Sequence, residues 1–305
     1  MKKGDQPVHI FHSLSELHRA VGQPQPQHPL ISIVNYSDVK VDTSQLGKGI
    51  VLDFYKISFK SNFHGKIRYG QGFYDFEEGG MSFIAPGQLL RLIDEEADYA
   101  GMSLHIHPDF IRPYALHKTI KQYGFFSYTA AEALYLSEKE KETIMTVFNS
   151  IQQELNERID RFSQDVIISQ IELLLNYSNR FYNRQFLTRK AVNNDLLSRM
   201  EALLDHYFNE ADALRKGLPG VQYVASALNV SPGYLSDMLR NLTGLNAQQH
   251  IHQKLIEKAK EYLTTGNLSV AEIAYRLGFE RPQAFSKMFK QKTDQTPLEF
   301  KRSFN

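Results

Sequence analysis

The chain has 305 residues, 42% apolar, 23% charged and 12% aromatic, the balance of a globular protein long enough for about two domains. Thirty-five Lys and Arg stand against thirty-four Asp and Glu, a net charge of +1, so attraction to a polyanion has to come from local clustering of charge. The absence of cysteine excludes a disulfide framework, a thiolate zinc site, an iron–sulfur cluster and a cysteine nucleophile.

At the amino terminus Lys2 and Lys3 are followed by Gly4, Asp5 and Gln6, where a signal peptide needs an apolar run. Nowhere do about 18 apolar residues run together, so a cytoplasmic protein without a membrane partner is expected. Residues 1–29 read as a lead-in with little order. A short helix around Ser13 to Val21 is followed by GQPQPQHPL, whose prolines forbid helix continuation.

Over 30–136, short β-prone runs alternate with Gly and Pro: LISIVNY, IVLDFYKISFK, GKIRYGQGFYDFE, MSFIAPG and AGMSLHIHPDF. This spacing predicts an antiparallel sandwich or barrel. Ile57 and Phe59 alternate with Ser58 and Lys60, which predicts one face turned inward and the other toward water. Inward aromatics such as Phe54, Tyr55, Phe59, Tyr69, Phe73, Tyr74 and Phe83 would line a small-molecule pocket, with Arg68 or Arg91 to anchor an anion. Aromatics in a small barrel are nevertheless more often plain core. His105 and His107 share a strand face, as a metal pair would, but Pro108 and Asp109 follow where a spaced Glu is needed. Both are expected to be satisfied or edge histidines, with no metal and no cofactor.

Over 137–185 the apolar period lengthens: Ile144, Val147, Ile151 and Leu155, then Val166, Ile171, Leu174, Leu175 and Phe181. Two amphipathic helices follow, the first opened by a capping box of Ser137 and Glu140, the second beginning near Ser163. Their apolar stripes need a cover, either the β domain or the same helices of a second chain; a homodimer through 137–185 is expected. Residues 186–195 lie in the polar run RFYNRQFLTRKAVNND and are expected to form a linker.

The remainder, 196–305, reads as all-α and contains an internal repeat. Ala225 and Ala274, Leu228 and Leu277, and Val230 and Phe279 are each 49 apart. Leu235 and Phe285, Ser236 and Ser286, Leu239 and Phe289, and Thr243 and Thr293 are each 50 apart, so one residue has been inserted at a turn. Each copy reads as helix, tight turn, helix, with Pro232 and Pro282 where the second helix starts. Two hairpins of an ordinary bundle would show much of this pattern. Charge favours a nucleic-acid surface: Arg276, Arg281, Lys287, Lys290, Lys292, Lys301 and Arg302 face Glu280, Asp294 and Glu299, so 7 − 3 = +4 over 276–305.

SVAEIAYRLGFERPQAFSKMFKQKTDQTPLEFKR resembles the signature of the AraC/XylS family of bacterial transcription regulators. Asp294 stands where that family usually has glycine, and RPQ replaces a commoner small polar turn. GGMSFIAPGQ and LHIHPDF resemble the cupin-like regulatory barrel found ahead of such domains. The resemblance implies an α+β multidomain chain: an N-terminal cupin-like β-barrel with a helical pair, then an all-α double helix-turn-helix DNA-binding domain. It implies a regulator under small-effector control rather than an enzyme, with double-stranded DNA and RNA polymerase as partners. A cupin enzyme with an accessory helical or DNA-binding domain, and a barrel that recognises a protein, are the alternatives.

It further implies that a long helix, roughly Ala247 to Leu263, holds both second helices on one face of a duplex, in major grooves ~34 Å apart. With Leu235, Met238, Leu239, Phe285, Met288 and Phe289 toward the core, the residues left for DNA are Gly233, Tyr234, Ser236, Asp237 and Arg240 in the first unit. In the second they are Arg281, Gln283, Ser286, Lys287 and Lys290. Gln283 suits adenine and Lys287 or Arg281 guanine, while Arg240 and Lys290 sit nearer the phosphates. Asp237 is repelled by a polyanion unless it accepts from cytosine or pairs with Arg240, so the second unit is expected to bind more strongly.

Overall fold

The expected order of a β-rich first half and an all-α second half holds in a computed structural model, which describes residues 8–39, 49–64, 67–69, 72–74, 79–90, 98–129, 132–157, 160–209, 212–265 and 268–303. Contacts group the chain into two units, Met1–Gln185 and Phe186–Asn305.

Order begins earlier than the lead-in reading of 1–29 allows. Strand β1 (His9–Phe11) precedes helix α1 (Leu14–Ala20), which Ser13 caps by accepting from the Glu16 N–H at 3.2 Å. Phe11 and Leu14 are fully buried, and this apolar face is what orders the segment. The strands that follow are β2 (Ile31–Asn35), β3 (Ile50–Leu52), β4 (Tyr55–His64), β5 (Ile67–Tyr69), β6 (Gly72–Tyr74), β7 (Gly80–Ile84), β8 (Leu89–Leu90) and β9 (Asp98–Ile106). Short helices α2 (Pro108–Ile111) and α3 (Leu116–Thr119) lead to β10 (Leu134–Tyr135).

These strands form a three-stranded sheet ordered β1-β3-β8, a five-stranded sheet ordered β10-β7-β4-β9-β2, and a β5-β6 ribbon. Among the described residues the pairing does not close into a continuous barrel. The helical pair is α4 (Glu138–Asn156) and α5 (Ser163–Thr188), and the Ser137–Glu140 capping box forms in both directions.

Alternation along β4 sets what each side of the five-stranded sheet meets. Tyr55, Ile57 and Phe59, with Met81 and Phe83 of β7 beside them, face the helices: Phe59 lies 6.4 Å from Phe148 of α4 and Phe83 6.1 Å from Tyr182 of α5, ring centre to ring centre. The sheet is therefore the cover for the helical stripes. Tyr55, Phe59 and Phe83 are buried core residues on the helix side of the sheet, and Phe54 is buried in the core formed by α1 with β3 and β8. The side chains of Arg68, Tyr69, Phe73, Tyr74 and Arg91 lie outside the described residues.

Ser58 and Lys60 occupy the opposite face, and the expectation that this face meets water is wrong. Ser58 is only 3% exposed. At one end this face is covered by α1: His18 donates from Nδ1 to the Pro24 carbonyl at 2.7 Å and receives the Ser32 hydroxyl at Nε2 at 3.0 Å. Ile84 joins Leu14, Leu17 and the β3–β8 residues in the adjoining core.

The second unit is helical throughout: α6 (Lys190–Asn209), α7 (Asp212–Lys216), α8 (Val221–Leu228), α9 (Pro232–Thr243), α10 (Ala247–Thr265), α11 (Val270–Arg276), α12 (Pro282–Thr293) and α13 (Pro297–Arg302). The linker expected at 186–195 is instead the end of α5 and the start of α6. Phe181, Tyr182, Gln185 and Phe186 make one buried helical face, and the Asn193 amide donates to the Phe186 carbonyl at 2.7 Å. Among the described residues no helix is long and apolar enough to cross a membrane.

Candidate nucleic-acid interface

Each copy of the repeat folds as the sequence predicts, α8 turning into α9 and α11 into α12. Ala225 and Ala274 are completely buried, so each first helix can be crossed closely by its second. Phe279 is buried at its turn, while Val230 at the equivalent place is half-buried. Both turns need a left-handed residue: Asn229 has φ 59° and Gly278, one repeat later, φ 92°. A Cβ at Gly278 would lie 2.6 Å from the carbonyl carbon of Gly217, so only glycine fits there.

Helices α9 and α12 both start with proline in their first turn. They also end alike. Gly244 (φ 79°) and Asp294 (φ 60°) take the left-handed cap, and Thr243 and Thr293 donate to the carbonyls of Leu239 and Phe289 at 2.9 and 2.8 Å. The repeat continues into the next helix, which the sequence reading missed. Asn246 and Gln249 cap α10 reciprocally, and Thr296 and Glu299 cap α13 in the same way. The signal is the spacing of a capping residue and a Gln or Glu three positions on, at 246 and 249 and again at 296 and 299.

Helix α10 spans Ala247–Thr265, as the resemblance implies, and packs against α8 and α9 as well as α11 and α13. Leu255, Ile256, Ala259 and Leu263 of α10 share one buried cluster with Phe285 and Phe289 of α12 and with Tyr207 and Phe208 of α6. Lys254 pairs with Asp205 of α6 at 2.8 Å.

Leu235, Met238, Leu239, Phe285 and Phe289 are buried, and Met288 is partly buried against the cluster. The residues singled out for DNA lie on what remains. Arg240, Arg281, Gln283, Lys287 and Lys290 are exposed; Gly233, Tyr234, Ser236, Asp237 and Ser286 are half-buried. Tyr234 is not a freely projecting ring, since it packs edge-on against Phe186 at 5.3 Å. Asp237 accepts from Arg240 Nη1 at 2.7 Å, the neighbouring-cation arrangement that its position demands. Ala284, exposed beside Gln283, escaped the sequence reading because a lone alanine carries no charge or hydrogen bond.

Two of the seven cations over 276–305 are engaged away from α12. The Arg276 guanidinium lies over the Tyr262 ring at 5.2 Å, and Lys301 Nζ donates to the Leu268 carbonyl at 2.8 Å. Arg281, Lys287, Lys290, Lys292 and Arg302 are exposed.

The histidines of the first unit are not a pair. His107 lies beyond the end of β9 and caps α2, its Nδ1 accepting from the Asp109 N–H at 3.3 Å. His105 is buried with neither ring nitrogen hydrogen-bonded among the described residues, so it is not the satisfied histidine expected.

A family model described as a helix-turn-helix domain matches residues 224–303. The chain is 33% identical over 101 residues to an HTH-type transcriptional regulator from Pseudoalteromonas carrageenovora, covering 33% of this chain and 55% of that protein. It is 28% identical over 151 residues to the HTH-type transcriptional activator RhaS of Escherichia coli, half of each chain. The crystal structure of the C-terminal domain of the response regulator yesN from Fusobacterium nucleatum aligns at 31% identity and TM-score 0.29, covering 33% of this chain and 96% of that one. The matches span between 30% and 55% of the length of these and other curated relatives. The duplicated helix-turn-helix domain over residues 224–303 is of the AraC/XylS type.

Proposed function

We propose that this protein is a sequence-specific DNA-binding transcription regulator whose second unit reads a bipartite duplex site, and whose first unit binds a small effector. It acts in the cytoplasm, catalyses no reaction and contacts RNA polymerase at its promoters. The observation that carries this reading is the duplicated unit itself, two second helices with buried apolar faces and polar outer faces, largely exposed along α12 and, apart from Arg240, half-buried along α9.

In the second unit, Gln283 of α12 pairs with adenine and Lys287, or Arg281 at the N-cap of α12, with guanine, each such contact contributing ~1–3 kcal/mol of discrimination. Exposed Ala284 suits a thymine methyl. Arg240 and Lys290 hold phosphates, and Gly233, Ser236 and Ser286 allow close approach of the backbone. Tyr234 and Asp237 shape the first half-site less strongly, since each already has an intramolecular contact. The fold of α4 and α5 on the sheet leaves Phe162, Val166 and Leu173 exposed, which supports a homodimer through 137–185.

The test is selection of duplexes from a random pool by the full chain at several salt concentrations. An enriched bipartite motif, with half-sites about one helical turn apart, together with a salt-dependent affinity is expected. A salt dependence without any motif rejects sequence-specific reading.

A further inference from the structure

The segment that follows β9 is laced along α5. Gln164 donates to the Phe110 carbonyl at 2.8 Å, Tyr114 donates to Asp165 at 2.6 Å, and Tyr123 donates to Asn176 Oδ1 at 3.0 Å. Beside the last of these bonds lies a cavity of about 440 Å³, open to solvent. Thr119, Gln122 and Tyr123, from the end of α3 and the 3-10 turn Ile120–Gln122 that follows it, line one side; Glu172, Asn176 and Asn179 of α5 line the other. The last three fall at steps of four and three, so they share one face of the helix.

The lining holds one carboxylate and no cation. Lys118, Lys121 and Arg180, the cations nearest in sequence, are exposed and stand outside it. Its hydrogen-bonding directions are largely set. Tyr123 gives its proton to Asn176, which leaves the phenol oxygen to accept and the Asn176 NH₂ to donate. Burial first, and then the negative charge of Glu172, pushes the Tyr123 phenol up, which keeps that proton in place. Thr119 donates to the Ala115 carbonyl at 3.4 Å, so its oxygen is also left to accept. Glu172 is half-buried, and among the described residues its carboxylate has neither a hydrogen bond nor an ion pair. The side-chain amides of Gln122 and Asn179 are likewise unengaged among the described residues.

Fixed acceptors thus outnumber fixed donors, and the one formal charge is negative. A ligand that answers this set brings donors and positive charge; an ammonium group has both, three N–H donors on a compact cation. We infer that this groove binds a small amino alcohol, its ammonium held by the Glu172 carboxylate and the Tyr123 oxygen, its hydroxyls by Gln122, Asn176 and Asn179. Amides donate and accept, as hydroxyls require. The site is independent of the effector-binding reading of the first unit. At 3.6 residues per turn, Glu172, Asn176 and Asn179 lie about a quarter turn round α5 from the exposed Phe162, Val166 and Leu173, so pairing through that apolar stripe leaves the groove at its rim.

The test uses the full chain with serinol and with glycerol, which differ by an ammonium in place of the central hydroxyl, at matched ionic strength and mildly acidic pH. Titration calorimetry shows binding of serinol and none of glycerol, and Glu172→Gln weakens serinol by at least about tenfold. In a second measurement, on the unaltered chain, tyrosine nitration by tetranitromethane is read by mass spectrometry. Serinol slows nitration of Tyr123 about fourfold at three-quarter occupancy and leaves the exposed Tyr275 unchanged. Because this readout needs no variant, it decides the matter even if Glu172→Gln impairs folding.

Equal binding of glycerol, or serinol binding unchanged in Glu172→Gln, overturns the ammonium assignment. No heat with serinol, or heat without protection of Tyr123, overturns the site. Loss of the selected DNA motif, by contrast, rejects the regulator reading alone and leaves these two measurements standing.

Discussion

Asp237 of α9 and Lys287 of α12 occupy the same position in two copies of one repeat, with opposite charge. Asp237 is already committed to Arg240 at 2.7 Å, so the first unit presents a neutralised pair where the second presents exposed Lys287 and Lys290. Asp237→Asn should free Arg240 for a phosphate. Affinity for random duplex is expected to rise about three- to tenfold, with a log–log salt slope steeper by about one. Fluorescence anisotropy across a salt series checks this, and an unchanged slope would show that Arg240 never reaches the duplex.

Lys287 and Lys290 are one turn apart on α12 but are assigned different work. Lys287→Ala should weaken binding to the selected site by ~1–3 kcal/mol and to random duplex far less. Lys290→Ala should weaken both alike. Equal losses on the two duplexes for Lys287→Ala would remove its base-reading role.

The caps make a stability prediction. Asp294 holds a left-handed conformation at φ 60° where its repeat mate is Gly244, so Asp294→Gly should stabilise the second unit by ~0.5–1 kcal/mol. Gly278→Ala should do the reverse by more than ~2 kcal/mol, because its new Cβ would meet the Gly217 backbone. Urea unfolding monitored by circular dichroism measures both. A wild-type midpoint for Gly278→Ala would contradict the close approach of Gly217 and Gly278.

Lys60 sets a pH dependence. Its folded pKa, about 7, lies below the 10.5 of a free lysine, so between these values the unfolded chain binds more protons. Stability of the first unit should therefore rise with pH from about 7 toward 10.5 and be lost as pH falls back through that window. The slope from this one group is at most ~1.4 kcal/mol per pH unit. Chemical denaturation of the wild type and Lys60→Met at pH 7 through 9 checks it; parallel curves would show that Lys60 carries no such shift.

The duplicated unit is legible in sequence because its marks are buried apolar side chains at fixed spacing, Ala225 with Ala274 and Leu239 with Phe289, and local packing alone demands them. The exposed positions of α9 and α12 follow by subtraction. Tertiary partners are what sequence does not show. Alternation in β4 says that Ser58 and Lys60 face away from Ile57 and Phe59, but which face meets water depends on what lies on each side, and both are covered. The arginines and asparagines of 180–195 mask a buried stripe of Phe181, Tyr182 and Phe186, so a helix reads there as a linker. Phe11 and Leu14 are likewise too few, taken alone, to announce that residues ahead of Leu30 join a core.

The arrangement of β4 divides labour between neighbouring residues of one strand. Its odd-numbered positions, Tyr55, Ile57 and Phe59, anchor the helices, while even-numbered Lys56, Ser58 and Lys60 look into the interior. A lineage can exchange the even set, and with it what the interior accommodates, without touching the side chains that secure the architecture. New chemical preferences can then evolve on an unchanged frame.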